Sequence, residues 1–236
     1  MLTATCRLSY SGAMDWLGLE IEGERCWDAD GPCEMRTLPT DRRFVVGHEG
    51  VPPEPLPGRL LPEQLQRSRT GLHLPGLGGV PSGARLRLLG FQTLNPNWDG
   101  LALVVCDQTT LWVTLSAGEA IHLQTSLTGR IAGALGCLEA APEGTDESMS
   151  SAERLPFLLG EAETPGQMLG AMLGGEMAAA KNLWLGQQAV LLGQGHLAQA
   201  YLKALQGLYV PVTETRDDLL AREGFKALAK SFLVSG

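Results

Sequence analysis

LALVVCDQTTLWVTLSAGEAIHLQTSLTGR, residues 101–130, carries the topology of the chain. Residues 101–105, 111–115 and 119–123 are short apolar runs of strand type. Asp107-Gln108-Thr109-Thr110 and Ser116-Ala117-Gly118 separate them with polar turn chemistry. Three strands so closely joined predict an antiparallel meander. Residues 128–138 fit a helix. Further on, Thr164-Pro165 opens a long apolar helix through about residue 183. Thr164 suits the N-cap and Pro165 the first helical position. Residues 189–192 read as a buried strand, 196–206 as a helix, 209–213 as a strand, and 217–233 as a helix with a break near Gly224. A meander, a helix, then alternating helix and strand define an α/β class.

The first third starts the same way. Residues 5–10 alternate, and residues 16–22 carry Leu17, Leu19 and Ile21 on one face. Ser11-Gly12-Ala13-Met14 is short enough to join the two as a hairpin, and residues 24–27 supply a third strand. The order is then abandoned. Residues 28–41 are polar without helical period, and Phe44-Val45-Val46 is a buried strand. Residues 52–62 are proline-rich and extended, 62–68 suit a short helix, and 75–83 are again rich in glycine and proline. The 139–151 segment reads as a solvated acidic loop. Two lobes are expected, 1–93 and 94–236.

Composition removes several function classes. The chain has 236 residues, 44% hydrophobic and 19% charged, enough for a substantial core. A net charge of −8 without a basic stripe argues against nucleic acid. No run of eighteen or so uncharged apolar residues exists, so no membrane span is expected. Residues 168–180 come closest, but Glu176 and the glycines favour a buried helix; a dimer seam at Leu169 to Ala180, and so a homodimer, is the other use of that glycine pattern. Arg7 interrupts the start, no secretory signal is read, and a cytoplasmic protein is expected. Five cysteines (Cys6, Cys26, Cys33, Cys106, Cys137) lack CxxC spacing, and the four histidines form no HExxH pattern, so no metal site is expected.

Three motifs bear on chemistry. Gly193-Gln194-Gly195-His196-Leu197-Ala198 matches GxGxxA between a strand and a helix, with Glu214 about twenty residues on. Too few strands follow for a dinucleotide fold. A mononucleotide site and a plain glycine turn both remain open. Thr125-Ser126-Leu127-Thr128-Gly129-Arg130 leads into a helix whose free N–H groups suit a carboxylate or phosphate, or serve only as a cap. Asp107-Gln108-Thr109-Thr110 is a hairpin tip that either meets phosphate or is merely solvated.

Several stretches together are similar to the 2-dehydro-3-deoxygalactonokinase family. They are HLPGLGG from His73, LLGFQT from Leu88, TTLWV from Thr109, QTSLTG from Gln124, MLGAMLGGEMA from Met168, VLLGQGHLAQAYLKAL from Val190 and DLLAREGFKALA from Asp218. The resemblance implies two ribonuclease-H-like lobes around a cleft, the N-terminal one reduced and the chain shortened. It implies ATP on the C-terminal lobe near Gly193, Gln194 and Gly195, and a sugar acid in the cleft, with Thr128, Gly129 and Arg130 as its contacts. The reaction implied is transfer of the γ-phosphoryl group of Mg-ATP to 2-keto-3-deoxygalactonate.

The chain departs from the family where that chemistry sits. The family's first strand ends in Asp-Trp-Gly; the strand at 5–10 ends near Ser11-Gly12 without an acid, and Asp15-Trp16 belongs to the next strand. Gly-Glu-Glu-Thr has become Gly90-Phe91-Gln92-Thr93, Pro-Gly-Thr-His has become Cys106-Asp107-Gln108-Thr109, and Thr-Gly-Glu has become Thr128-Gly129-Arg130. A phenylalanine cannot accept a proton, and losing a general base alone costs about 10²–10⁴-fold. The expectation is an impaired, pseudokinase-like relative that binds a sugar acid, a nucleotide or a partner. One alternative is an active kinase, using ATP and Mg, in which Asp107 or Asp15 replaces the lost acids. Another is a non-enzymatic interaction scaffold.

Overall fold

The computed structural model describes residues 15–48, 50–106 and 109–233. The chain opens with β1 (Leu17–Glu20), β2 (Arg25–Trp27), β3 (Pro32–Cys33) and β4 (Arg43–Val46), followed by β5 (Gly58–Arg59), β6 (Gln66–Arg67) and β7 (Leu72–His73). Helix α1 (Ser82–Leu94) leads into β8 (Gly100–Val105), β9 (Thr110–Ser116) and β10 (Glu119–Ser126). Four helices come next: α2 (Thr128–Ala134), α3 (Thr145–Ser150), α4 (Leu155–Glu161) and α5 (Pro165–Ala179). The chain then runs through α6 (Lys181–Trp184), β11 (Ala189–Leu192), α7 (Gly195–Gly207), β12 (Val212–Glu214) and α8 (Asp217–Leu233).

These strands form two mixed sheets. The first has the order β3-β2-β1-β4-β7-β6, the second β12-β11-β8-β9-β10-β5. Each has a central strand, β1 or β8, with an antiparallel meander on one side. On its other side two strands run parallel to it. The expected meander after residue 101 is therefore present, and the two halves begin alike. Strand length separates them: β8, β9 and β10 have 6, 7 and 8 residues, while among the described residues no strand of the first sheet exceeds 4.

Helices α1 and α8 lie between the sheets. One apolar cluster unites Phe44 and Leu72 of the first sheet, Leu88 and Phe225 of the helices, and Val104 and Val113 of the second. Leu101 and Leu103 of β8 point the other way, into a second cluster with Leu173 of α5 and Tyr201 of α7. This alternation along β8 follows from the two-residue period of a strand covered on both faces. The helix pair closes through glycines. A Cβ on Gly90 would lie 2.0 Å from the Leu220 carbonyl oxygen, and one on Gly224 2.3 Å from that of Leu86. The proline-rich segment is held by Arg85, which is fully buried. Its five donors go to Leu60 O, Pro75 O, Gly76 O, Arg59 O and the Glu54 carboxylate, at 2.7–3.2 Å.

Several expectations change. The strand at 5–10 and its hairpin lie outside the described residues. The strand expected second, at 16–22, is the central strand of the first sheet, pairing parallel with β4. Residues 62–68 contain strand β6 and no helix, because Gln66 and Arg67 pair with β7. Residues 139–151 include helix α3. Helix α8 runs unbroken through Gly224, which the α1 backbone needs at the crossing. Helix α5 begins where expected, with a capping box: Thr164 Oγ1 accepts from Gln167 N at 3.1 Å, and Gln167 Oε1 accepts from Thr164 N at 3.3 Å. Its glycines are covered by this same chain, since a Cβ on Gly170 would sit 1.8 Å from Glu143 O. The residues of the seam are thus in use within the fold.

Gly90→Ala should destabilise by about 3 kcal/mol or more, because the new methyl meets helix backbone rather than a side chain that can turn away. Gly83→Ala, in the same helix with only the Arg87 guanidinium at 3.7 Å, should be neutral or stabilising by up to about 1 kcal/mol. Urea denaturation of the two variants checks the contrast.

Candidate functional site

The parallel strands β8 and β11 end side by side, and the chain after each lines a cavity of about 470 Å³. Gly193, Gln194, Gly195, His196, Glu139 and Asp217 are among its walls. The GxGxxA stretch thus borders a concavity at the C-terminal edge of a sheet, where α/β folds place ligands. Its two glycines differ. Gly193 has φ 142° and would place a Cβ 2.6 Å from Val105 O, so packing alone demands glycine there. Gly195 has φ 87° and nothing within 4 Å of a Cβ, so it faces open space at the start of α7. His196 Nε2 and Glu139 Oε2 pair across the rim at 3.3 Å.

Beside this cavity an ion cluster ties the first sheet to helices α1 and α8. Glu20 ends β1 and is 7% exposed. Its carboxylate accepts Trp27 Nε1–H at 2.8 Å and Arg87 Nη1–H at 2.7 Å, and pairs with Arg25 Nη2 at 2.9 Å. Arg87 also donates from Nε and Nη2 to both oxygens of Asp217, in the first turn of α8. Arg25 reaches Asp217 Oδ2 at 3.2 Å and stacks over Trp27 at 5.3 Å. Burial alone would lower the Arg87 pKa, but Asp217 and Glu20 outweigh it and raise it. Burial would raise the Asp217 carboxyl, but the bonds and charges of Arg87 and Arg25 hold it below its ordinary range.

A second cavity of about 380 Å³ lies behind the start of α2. Glu176 of α5 forms part of its lining and takes four neutral donors. Trp112 Nε1–H reaches Oε1 at 2.6 Å, while Ser126, Thr128 and Tyr201 hydroxyls converge on Oε2 at 2.6, 2.5 and 2.8 Å. Burial, then the charge of Glu176, raises the Tyr201 phenol well above its ordinary value, so it stays a donor.

The sequence candidates therefore divide. Gly193, Gln194 and Gly195 line the first cavity. Thr128 lines the second, Gly129 is buried beside it, and Arg130 is exposed on α2. Asp15 is at the surface, bonded to Arg36 Nη2 at 2.6 Å. Asp107 lies outside the described residues. Phe91 and Gln92 are buried within α1, Phe91 edge-on to Trp98. Sequence reasoning missed Glu20, Arg87 and Asp217. Little signal pointed to them: Glu20 falls on the face of β1 opposite Leu17 and Leu19, where a polar residue ordinarily meets solvent. The expectation that the strand at 5–10 ends without an acid falls outside the described residues. The described residues hold no group of three His, Cys, Asp or Glu placed for a metal. Cys26, Cys33 and Cys137 are free thiols. No described helix is long and apolar enough to cross a membrane.

Two sheets joined by a helix pair, with a glycine-lined cavity at one edge, define a mixed α/β protein, and comparison with known proteins finds similar folds. The family described as 2-keto-3-deoxy-galactonokinase matches residues 148–228, which run from α3 into α8. A solved Sinorhizobium meliloti protein, proposed to be a 2-dehydro-3-deoxygalactonokinase, superposes with a TM-score of 0.71 at 16% identity. The match covers 93% of this chain and 96% of that one, so the two align almost end to end. Component A of (R)-2-hydroxyglutaryl-CoA dehydratase from Acidaminococcus fermentans matches at a TM-score of 0.39 and 15% identity, over 61% of this chain and 68% of its own. No curated protein matches. The family match is thus confined to the C-terminal part of the chain, and the likeness to the Sinorhizobium meliloti protein is one of fold.

Asp217→Asn should cost about 2 kcal/mol near pH 7, less than for a fully buried pair because Asp217 is 22% exposed. A carboxyl depressed by folding contributes stability that is complete above its unfolded value and fades as pH falls through its folded one. The gap between wild type and variant should therefore close below about pH 4. Urea unfolding across a pH series checks this; a gap unchanged from pH 7 to 3 would assign the loss to packing rather than charge.

Proposed function

We propose that this chain is a 2-keto-3-deoxygalactonokinase-like protein that keeps a nucleotide site and has lost efficient phosphoryl transfer. The reading takes residues 1–93 and 94–236 as two ribonuclease-H-like lobes, the first reduced, working in the cytoplasm. The repeated sheet order, central strand between a meander and two parallel strands, supports two such lobes. The short strands of the first sheet support its reduction.

The ion cluster carries the functional reading. In-line phosphoryl transfer needs acids free to hold metal-bound water and to orient the attacking hydroxyl. Glu20, at the end of the first central strand, is committed to Arg87, Arg25 and Trp27. Asp217, which lines the glycine-bordered cavity, is committed to the same two arginines. A guanidinium fork holds both oxygens of a carboxylate in a fixed plane, so no vacant ligand pair faces the cavity. Magnesium does not fit the cluster as it stands. Where the resemblance expects a base, Phe91 and Gln92 are core residues without a carboxylate. Asp15 is tied to Arg36 and does not replace it.

A nucleotide suits the first cavity through its adenosine part. Gly195 leaves room for backbone to approach a ligand. The permanent charges lining the cavity are acidic, Glu139 and Asp217, which disfavours a bare phosphate and a sugar acid alike. Calorimetry with Mg-ATP and with 2-keto-3-deoxygalactonate, titrated separately, tests binding, and a coupled ADP assay tests turnover. Heat with Mg-ATP and sugar-acid-dependent turnover below about 0.01 s⁻¹ are expected, at least 10²-fold under the kinase range. Turnover of about 1 s⁻¹ or more would overturn the loss of transfer.

A further inference from the structure

We propose that the cavity behind Thr128 is a second binding site, which takes the ammonium head of a small amphiphilic amine with Glu176 as its counter-ion. Its volume of about 380 Å³ is within the range of small-molecule sites, about 300–1,000 Å³. Ile131, Leu155, Leu159, Met172 and Trp112 give it apolar wall, and the polar side chains of its rim are neutral apart from Glu176. Glu176 is the only ionisable residue lining it.

The charge of that carboxylate is solvated but not cancelled. Its four donors are an indole and three hydroxyls, all neutral, and no Lys, Arg or His pairs with it among the described residues. The bonds are also unevenly shared. Oε2 accepts three and Oε1 accepts one, which leaves Oε1 with acceptor capacity toward the cavity. A half-buried carboxylate with a free acceptor direction and no counter-charge attracts a cation and repels an anion. An ammonium group meets this demand with a donor and a charge together.

The apolar walls set the remainder of the ligand. An inorganic cation would leave them uncovered, whereas an alkyl or aryl tail would fill them. From Ile131 in its wall, Leu127 and Leu135 at the two caps of α2 continue the apolar surface at four-residue spacing, all three 47% exposed. The same features exclude the sugar acid and nucleotide phosphates from this cavity, so the site is separate from the one bordered by Gly193.

Calorimetry with n-hexylammonium, n-hexanol and n-hexanoate, three probes alike in tail and different in head, tests the assignment. Hexylammonium should bind at least roughly tenfold tighter than hexanol and change tryptophan fluorescence, and hexanoate should not bind. Ile131→Lys, at an exposed position on the mouth, should supply an internal ammonium to Glu176 and abolish hexylammonium binding. Glu176→Gln should reduce hexylammonium to the affinity of hexanol. Equal binding of hexylammonium and hexanol by the wild type, or no binding of hexylammonium, overturns the proposal. So does a preference for hexylammonium that survives in Ile131→Lys, a variant whose folding does not depend on the Glu176 network.

Discussion

The crossing of α1 and α8 sets the geometry of everything around it. Its two glycines let backbone meet backbone: Gly90 against Leu220 O, Gly224 against Leu86 O. The two sheets pack on opposite sides of this helix pair, so their separation is fixed by how closely the helices approach. Arg87 lies three residues before Gly90, and Asp217 begins α8. The bidentate pair between them therefore depends on the crossing for its distance. Glu20 reaches the same guanidinium from the first sheet. Apolar burial supplies most of the free energy of such a core. The glycines decide which arrangement that energy stabilises.

The ion cluster shows how the junction of a sheet and a helix pair can be made stable at the expense of chemistry. Desolvating four charged groups is costly, and an isolated buried pair often does no better than apolar residues of the same shape. Here the cost is reduced because Arg87 touches two acids and Arg25 three, Trp27 adds a donor, and Arg25 and Asp217 keep some solvent. Those same contacts remove the free lone pairs that a metal or a reacting hydroxyl would require. A carboxylate cannot at once be clamped by a fork and exchange ligands during turnover. In this chain the balance lies with the clamp.

What could be read from sequence was what is local. The long strands β8, β9 and β10 are set off by turn residues, and α5 announces itself through Thr164-Pro165. GxGxxA is legible because strand, glycines and helix are contiguous. Helix α1 was not legible. It is buried on several sides, carries two glycines and a buried arginine, and so shows no polar face at helical period. Strand β6 was mistaken for a helix because two residues carry no period at all. The cluster was out of reach for another reason: Arg87 is 67 residues from Glu20 and 130 from Asp217, so no spacing rule connects them. Glu176 was visible only as an interruption in an apolar helix, although interruptions of that kind are costly unless the polar group has partners.

The two cavities show why one motif does not define one site. The α2 segment serves both: Thr128 and Ile131 line one, while Leu138 and Glu139, just beyond it, line the other. Thr128 follows a strand and starts a helix, a pattern that suits an anion when helix N–H groups are unopposed. Here Ser126 Oγ accepts the Thr128 N–H, and the Thr128 hydroxyl is turned to Glu176. A carboxylate placed at a helix start takes up the very donors that an incoming anion would use. The local pattern is unchanged, yet a residue 48 positions away has reversed the charge it can accept. Gly193 teaches the complementary point, since its conformation and its closeness to Val105 are already required by packing. Only Gly195, with open space before it, is left over for a ligand to explain.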